Sequence, residues 1–191
     1  MKNVFKVIVL GLALALTLPS APAKAQVFDQ GDFVLSAGIG LGSVYYSGLY
    51  YKTTIPPIWV AGDYCLREKL GPGNLGVGGY LGYSAYKWEY SYATYDYGWK
   101  YSTFIIAGRG TYHFTDLVDN LDLYGGLLLG VKVVTNKEFG DTSGALYTAS
   151  GSGVAYSFFA GARYMFSPNF GAMAELGYGI AYLSLGVSLR L

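Results

Sequence analysis

The chain has 191 residues, with 13 Lys and Arg, 12 Asp and Glu, one His and one Cys. That balance offers no basic patch and excludes a nucleic-acid partner, and the single Cys65 excludes an internal disulfide. Glycine and tyrosine, at 28 and 20 residues, dominate the chain. It is apolar yet, past its first residues, has no stretch long enough for a spanning helix.

Residues 1–25 read as a secretory signal peptide. Lys2 and Lys6 open it, Val7 to Leu18 form an apolar run, and Ala23-Lys24-Ala25 places small residues where a signal peptidase cuts. A retained membrane anchor is the alternative, but the run is shorter than the roughly 17–25 residues a spanning helix needs. Residues 26–191 then form one domain, with a formal charge of −2 once Lys2, Lys6 and Lys24 are removed.

Beyond residue 32 the signal has period two, the mark of strands. Phe33, Leu35, Ala37, Ile39 and Leu41 alternate with Ser36, Gly38, Gly40 and Gly42, which predicts a first strand over Phe33–Gly42. Further strands are predicted over Ile58–Leu66, Leu75–Trp88, Trp99–Phe114, Leu121–Val134, Val154–Phe166, Phe170–Tyr178 and Leu183–Leu191. Gly71-Pro72-Gly73-Asn74, Thr115–Asn120 and Ser167–Asn169 read as short turns. Ser43–Pro57, Glu89–Gly98 and Thr135–Gly153 read as longer loops, and Gly179–Ala181 as a short fourth connection on the loop side.

One face of each strand is apolar and the other is Gly, Ser, Tyr or charged. A soluble sandwich or a lipocalin-like carrier would bury the apolar face. The long apolar side chains are too many for the interior of a barrel of about eight strands, whereas the Gly-rich face suits a narrow lumen. Aromatics gather near the ends of the apolar faces, at Tyr64, Tyr112, Phe114, Tyr164, Phe166 and Phe170 on one side and Tyr83, Tyr156 and Tyr178 on the other. Such girdles mark lipid–water interfaces. The expectation is an all-β, transmembrane, antiparallel up-and-down β-barrel of the cell outer membrane, because closure alone satisfies a sheet's backbone in lipid.

The tail Asn169-Phe170-Gly171-Ala172-Met173-Ala174-Glu175-Leu176-Gly177-Tyr178-Gly179, followed by Leu183-Ser184-Leu185-Gly186-Val187-Ser188-Leu189, resembles the closing hairpin of small outer-membrane β-barrel proteins common in Bacteroidota. Their architecture is similar to OmpA- and OmpX-type barrels. The resemblance implies outer-membrane lipids and the barrel-assembly machinery as partners. Family members often end on an aromatic residue, where this chain has Leu191.

With the apolar face toward lipid, Asp63, Arg67, Arg109, Asp122, Lys132, Arg163, Glu175 and Arg190 project into the lumen. Buried charges must be paired or solvated. Glu175 is expected to reach Arg163 diagonally, and His113 to lie opposite Asp122 near the turn-side rim. Such charges either plug the lumen with ion pairs or line a narrow porin-like path for ions or small solutes. The His–Asp pair also raises an outer-membrane hydrolase, but no serine stands out as a nucleophile. Cys65 reads as lumen packing. No metal-ligand spacing appears, no cofactor is implied, and the glycine runs lack the helix that a phosphate loop requires. The remaining reading is non-enzymatic: a structural or surface-interaction protein working through its external loops. Trp88, Tyr90, Tyr92, Tyr95, Tyr97 and Trp99 flank a turn and are expected to stand out as a two-stranded hairpin. Its rings either bind an extracellular protein or glycan, or pair across the hairpin in the interface girdle.

Overall fold

The computed structural model describes residues 28–43, 51–92, 95–140 and 148–191, and the side chains among these except 90–92, 95–97, 116 and 148–149. The expected signal peptide and parts of the expected external loops lie outside the described residues.

Eight strands follow in chain order: β1 (Phe33–Leu41), β2 (Tyr51–Leu70), β3 (Gly73–Tyr92), β4 (Tyr95–Val118), β5 (Leu121–Gly140), β6 (Thr148–Met165), β7 (Phe170–Tyr178) and β8 (Leu183–Arg190). Each pairs antiparallel with the next, and β1 pairs with β8, closing the barrel. At one end the connections are tight. Lys69, Gly71 and Asn120 take positive φ of 52°, 69° and 64° there. Such turns require that backbone reversal.

The barrel is turned inside out relative to a soluble protein. Ile106, Leu127, Leu129 and Leu176 are 57–67 % exposed, while Asp63, His113 and Asp122 are fully buried. On β4 the outward apolar run extends from Phe104 to Phe114. Its length matches the roughly 9–11 residues of a membrane-crossing strand. At the turn end, ring contacts join Tyr112 to Phe114, Tyr164 to Phe166, and Phe166 to Phe170. Toward the other boundary Tyr156, Tyr178 and Tyr182 are exposed. This belt between two girdles is what a lipid bilayer solvates.

Strand lengths depart from the sequence reading. β1, β7 and β8 have 9, 9 and 8 residues, whereas β2 to β6 have 20, 20, 24, 20 and 18. Within the expected loops over Ser43–Pro57, Glu89–Gly98 and Thr135–Gly153, residues 51–57, 89–92, 95–98, 135–140 and 148–153 are strand. Beyond the lipid belt the outward residues are mostly polar or charged, so the hydrophobic signal fades although hydrogen-bonded pairing continues. Register runs on to Tyr51↔Trp88, Tyr92↔Tyr95, Tyr97↔Gly140 and Lys137↔Thr148. The result is a five-stranded sheet standing on one side of the barrel, in place of the expected two-stranded hairpin.

Candidate functional site

The lumen is filled in three layers. At the turn end the segment before β1 folds into the mouth. Gly31 N donates to Cys65 O at 3.1 Å, and Cys65 N donates to Asp32 O at 2.9 Å. This lace holds Phe28 fully buried, with its ring stacked on His113 at 3.9 Å between centroids. The Phe28 carbonyl accepts from Asn74 Nδ2 at 2.7 Å. Cys65 packs beside Phe28 and Val34.

The charged layer follows. Arg109 lies 3.0 Å from Asp63 and 2.9 Å from Glu175 through different guanidinium nitrogens, and stacks over Phe159 at 4.5 Å. Arg163 lies 3.0 Å from Asp122 and 3.8 Å from Asp63, and its Nε donates to Ser188 Oγ at 3.1 Å. Tyr124 OH donates to Glu175 at 2.9 Å. Ser188 and Ser36 hydroxyls meet at 2.8 Å across the β1–β8 seam. Asp63 is thus shared by both arginines. Glycine makes the room: a Cβ on Gly78 would lie 2.5 Å from an Asp63 oxygen, and one on Gly161 would lie 2.6 Å from the Tyr124 ring.

Above the charges an apolar layer of Trp59, Tyr80, Ile105 and Leu128 continues to Ile180, supplied by the short β7–β8 connection. Between the two layers lies a cavity of about 20 Å³, touching Arg109, Glu175 and Ser157. It has room for about one water.

Asp63, Arg109, Asp122, Arg163 and Glu175 therefore come together, with three corrections. Arg163 does not pair with Glu175; Gly161 opposes Glu175 on β6, and Arg163 opposes Met173. Facing side chains reach across the lumen instead of along the hairpin. Arg67 is exposed, because a bulge between Cys65 and Arg67 puts it opposite outward-facing Leu75 and reverses the alternation. Arg190 is on the lumen face but at the rim, 2.9 Å from Asp32 and outside the central network. Lys132 lies higher on the lumen face, half-buried.

His113 does sit beside Asp122. Its Nδ1 donates to the carboxylate at 2.8 Å, and Nε2 is 2.8 Å from Thr111 Oγ1. Both ring nitrogens are engaged, and Phe28 and Tyr124 flank the ring. An imidazole so enclosed has no path to a substrate. Sequence reasoning missed Phe28, Tyr124, Ser36 and Ser188. Phe28 precedes the first alternating segment and carried no periodic signal.

On the five-stranded sheet, Trp88 opposes Trp99 and Tyr86 opposes Tyr101. These rings share the face that continues the lumen, with Tyr51 at 5.9 Å from Tyr101. Trp88 and Trp99 are therefore not part of the lipid-side girdle, which occupies the opposite face. Backbone register pairs Tyr90 with Tyr97 and Tyr92 with Tyr95; their side chains lie outside the described residues.

No family model and no curated protein sequence matches the chain. Among solved structures it is similar to Ail, the attachment invasion locus protein of Yersinia pestis. The complex of Ail with the heparin analogue sucrose octasulfate is 19 % identical, with TM-score 0.51, over 85 % of this chain and 99 % of that one. Ail alone gives 17 % identity and TM-score 0.50 over the same shares. The N-terminal β-barrel domain of Pseudomonas aeruginosa OprF, at 17 % identity and TM-score 0.48, covers 85 % of this chain and 98 % of that one. The class is settled by closure, the lipid-facing belt and the likeness to Ail together. The chain has the fold of the small eight-stranded outer-membrane β-barrels.

Proposed function

We propose that the protein is a non-enzymatic surface protein of the outer membrane, in which a closed barrel anchors a sheet that contacts an extracellular protein or glycan. The observation that carries this reading is the unequal strand length. Eight or nine residues suffice for β1, β7 and β8 to cross lipid, so the additional residues of β2 to β6 serve something beyond it. The sheet projects on the loop side, which faces outward when the short turns face the periplasm. Its aromatic face, with Tyr51, Trp88, Trp99 and Tyr101, offers rigid, amphipathic contact area suited to sugar rings or protein loops. The filled lumen supports a plug over a porin-like path, and enclosed His113 supports the absence of hydrolase chemistry. Residues 1–25 serve as the export signal in this reading, and the closing hairpin is of the type read by the barrel-assembly machinery.

The test replaces Tyr90–Tyr97 with a Gly-Ser turn. The barrel is expected to stay folded and heat-modifiable in gels, while binding of whole cells to glycan and matrix-protein arrays falls. Unchanged adhesion, biofilm formation and phage sensitivity would remove the support for a contact role.

A further inference from the structure

The opposite face of the same sheet carries a different feature. Lys52 opposes Lys87, Lys87 opposes Lys100, and Lys100 opposes Lys137. Four lysines thus stand side by side on four consecutive strands. Directly opposed residues of an antiparallel sheet share a face, and neighbouring strands lie about 4.8 Å apart, so the row is roughly 14 Å long.

Which face it occupies follows from β4. Its pairing with β3 and β5 is unbroken from Tyr97 to His113, so Lys100 has the parity of Phe104 and Ile106, which face lipid. Below the row, Ile58, Tyr83, Phe104 and Val133 are register partners at the top of the apolar belt. Lys100 is four residues past Phe104, roughly 13 Å along the strand. The row therefore lies on the lipid side of the sheet, one step above the hydrocarbon, at headgroup depth.

Like charges set directly opposite one another repel and destabilise a sheet. Glu89 answers part of this by pairing with both Lys52 and Lys87. Lys87 and Lys100 also lie 4.4 and 5.9 Å from the Phe139 ring centroid. That arrangement helps hold their ammonium groups in place. Among the residues with described side chains, no carboxylate lies within ion-pair distance of exposed Lys100 or Lys137. The row keeps a charge of +3 after Glu89 is counted.

We propose that the Lys52–Lys87–Lys100–Lys137 row binds the phosphate groups of a phosphorylated glycolipid of the outer leaflet. An ammonium is a compact point charge that suits phosphate oxygens. The location selects the lipid-borne source: the row faces sideways over the acyl region, and a soluble polyanion would approach the sheet from above or from its aromatic face. This surface is distinct from the aromatic contact face, and each can fail without the other.

The test uses the full-length folded protein in phosphatidylcholine nanodiscs. These are doped either with a bisphosphorylated diglucosamine glycolipid or with the same lipid stripped of its phosphates. Native mass spectrometry reads the lipid retained. The unmodified protein is expected to retain the phosphorylated form preferentially, and the preference should shrink as salt rises. The double variant K100Q/K137Q should lose about tenfold or more of that preference, at roughly fivefold per lysine beside an anionic surface. K100R/K137R should keep it, and K69Q at the turn end should leave it unchanged. Heat-modifiability confirms that each variant is folded. Equal retention of the two lipids by the unmodified protein overturns the proposal, as does an equal loss in K69Q. Saturable binding of a soluble heparin-type oligosaccharide through the same lysines, without lipid preference, would also overturn it.

Discussion

Replacing Arg109 with Met tests whether the lumen is an electrostatic unit. The guanidinium is almost wholly buried and bridges Asp63 and Glu175 at 3.0 and 2.9 Å. Methionine keeps much of the volume beside Phe159 but leaves two buried carboxylates short of a counter-charge. Removing one partner of a buried ion pair costs about 3–5 kcal/mol. Here Arg163, 3.8 Å from Asp63, offsets part of the loss. A cost of about 4 kcal/mol is expected for R109M, and about 2 kcal/mol for E175Q, which leaves Arg109 with Asp63. The double variant should cost about 4 kcal/mol, well short of the summed singles, because glutamine removes the charge that R109M strands. Urea titration of the refolded protein, followed by tryptophan fluorescence and the heat-modifiable band, measures all three. R190Q at the part-buried rim pair with Asp32 serves as the control, with a smaller cost of about 1 kcal/mol, since water still reaches both groups. Strict additivity of R109M and E175Q, or a cost for R109M no larger than for R190Q, would refute the network.

Leu127→Arg and Leu185→Arg place a cation on the exposed, lipid-facing side of the barrel. Each should cost about 2–4 kcal/mol in vesicle refolding near mid-bilayer. Gly161→Ala should also destabilise, since its Cβ would meet the Tyr124 ring at 2.6 Å, and unchanged urea midpoints would contradict the packing described. In planar bilayers the unmodified protein should show no steady current. F28A should admit water to the turn-side mouth, read as faster amide exchange at Thr111 and His113 while conductance stays absent because the upper layers remain. The Glu89 carboxyl, hydrogen-bonded first by Lys52 and then by Lys87, is held down at about 2 from its ordinary 4.5. A lowered value means that the clip is complete above the ordinary value and is lost as pH falls through about 2. Carbon-detected NMR titration should give a midpoint near 2, and a midpoint near 4.5 would refute the clip.

The strands that alternate most strictly were the most legible in sequence. β7 spans Phe170–Tyr178 as the pattern indicates, and β1 and β8 each end one residue early. β2, β5 and β6 were cut at the edge of the lipid belt, at Ile58, Val134 and Val154, since only within it does the environment demand apolar residues at every second position. Alternating aromatics carried the reading of β3 and β4 further, to Trp88 and Trp99. Period two assigns a face but not a partner. It therefore put Arg163 and Glu175 in one lumen yet joined them wrongly, because long side chains reach across a narrow barrel. Arg67 was lost to a bulge, which leaves no trace in a pattern of alternation. The row of lysines was written plainly in the sequence, but its members lie on four strands and meet only through register.

The hydroxyl contact between Ser36 and Ser188 joins residues 152 positions apart. Nearly the entire chain must be in place before that contact can form, and Arg163 reaches the seam through the same Ser188. Closing so long a loop carries an entropic penalty that only the completed seam repays. Until β8 docks, the facing carboxylates and guanidinium groups stay hydrated in an open trough. Docking expels that water and sets the ion pairs in one step. Assembly is consequently a late, cooperative event governed by the last strand, and a chain lacking β8 would have a sheet but no interior.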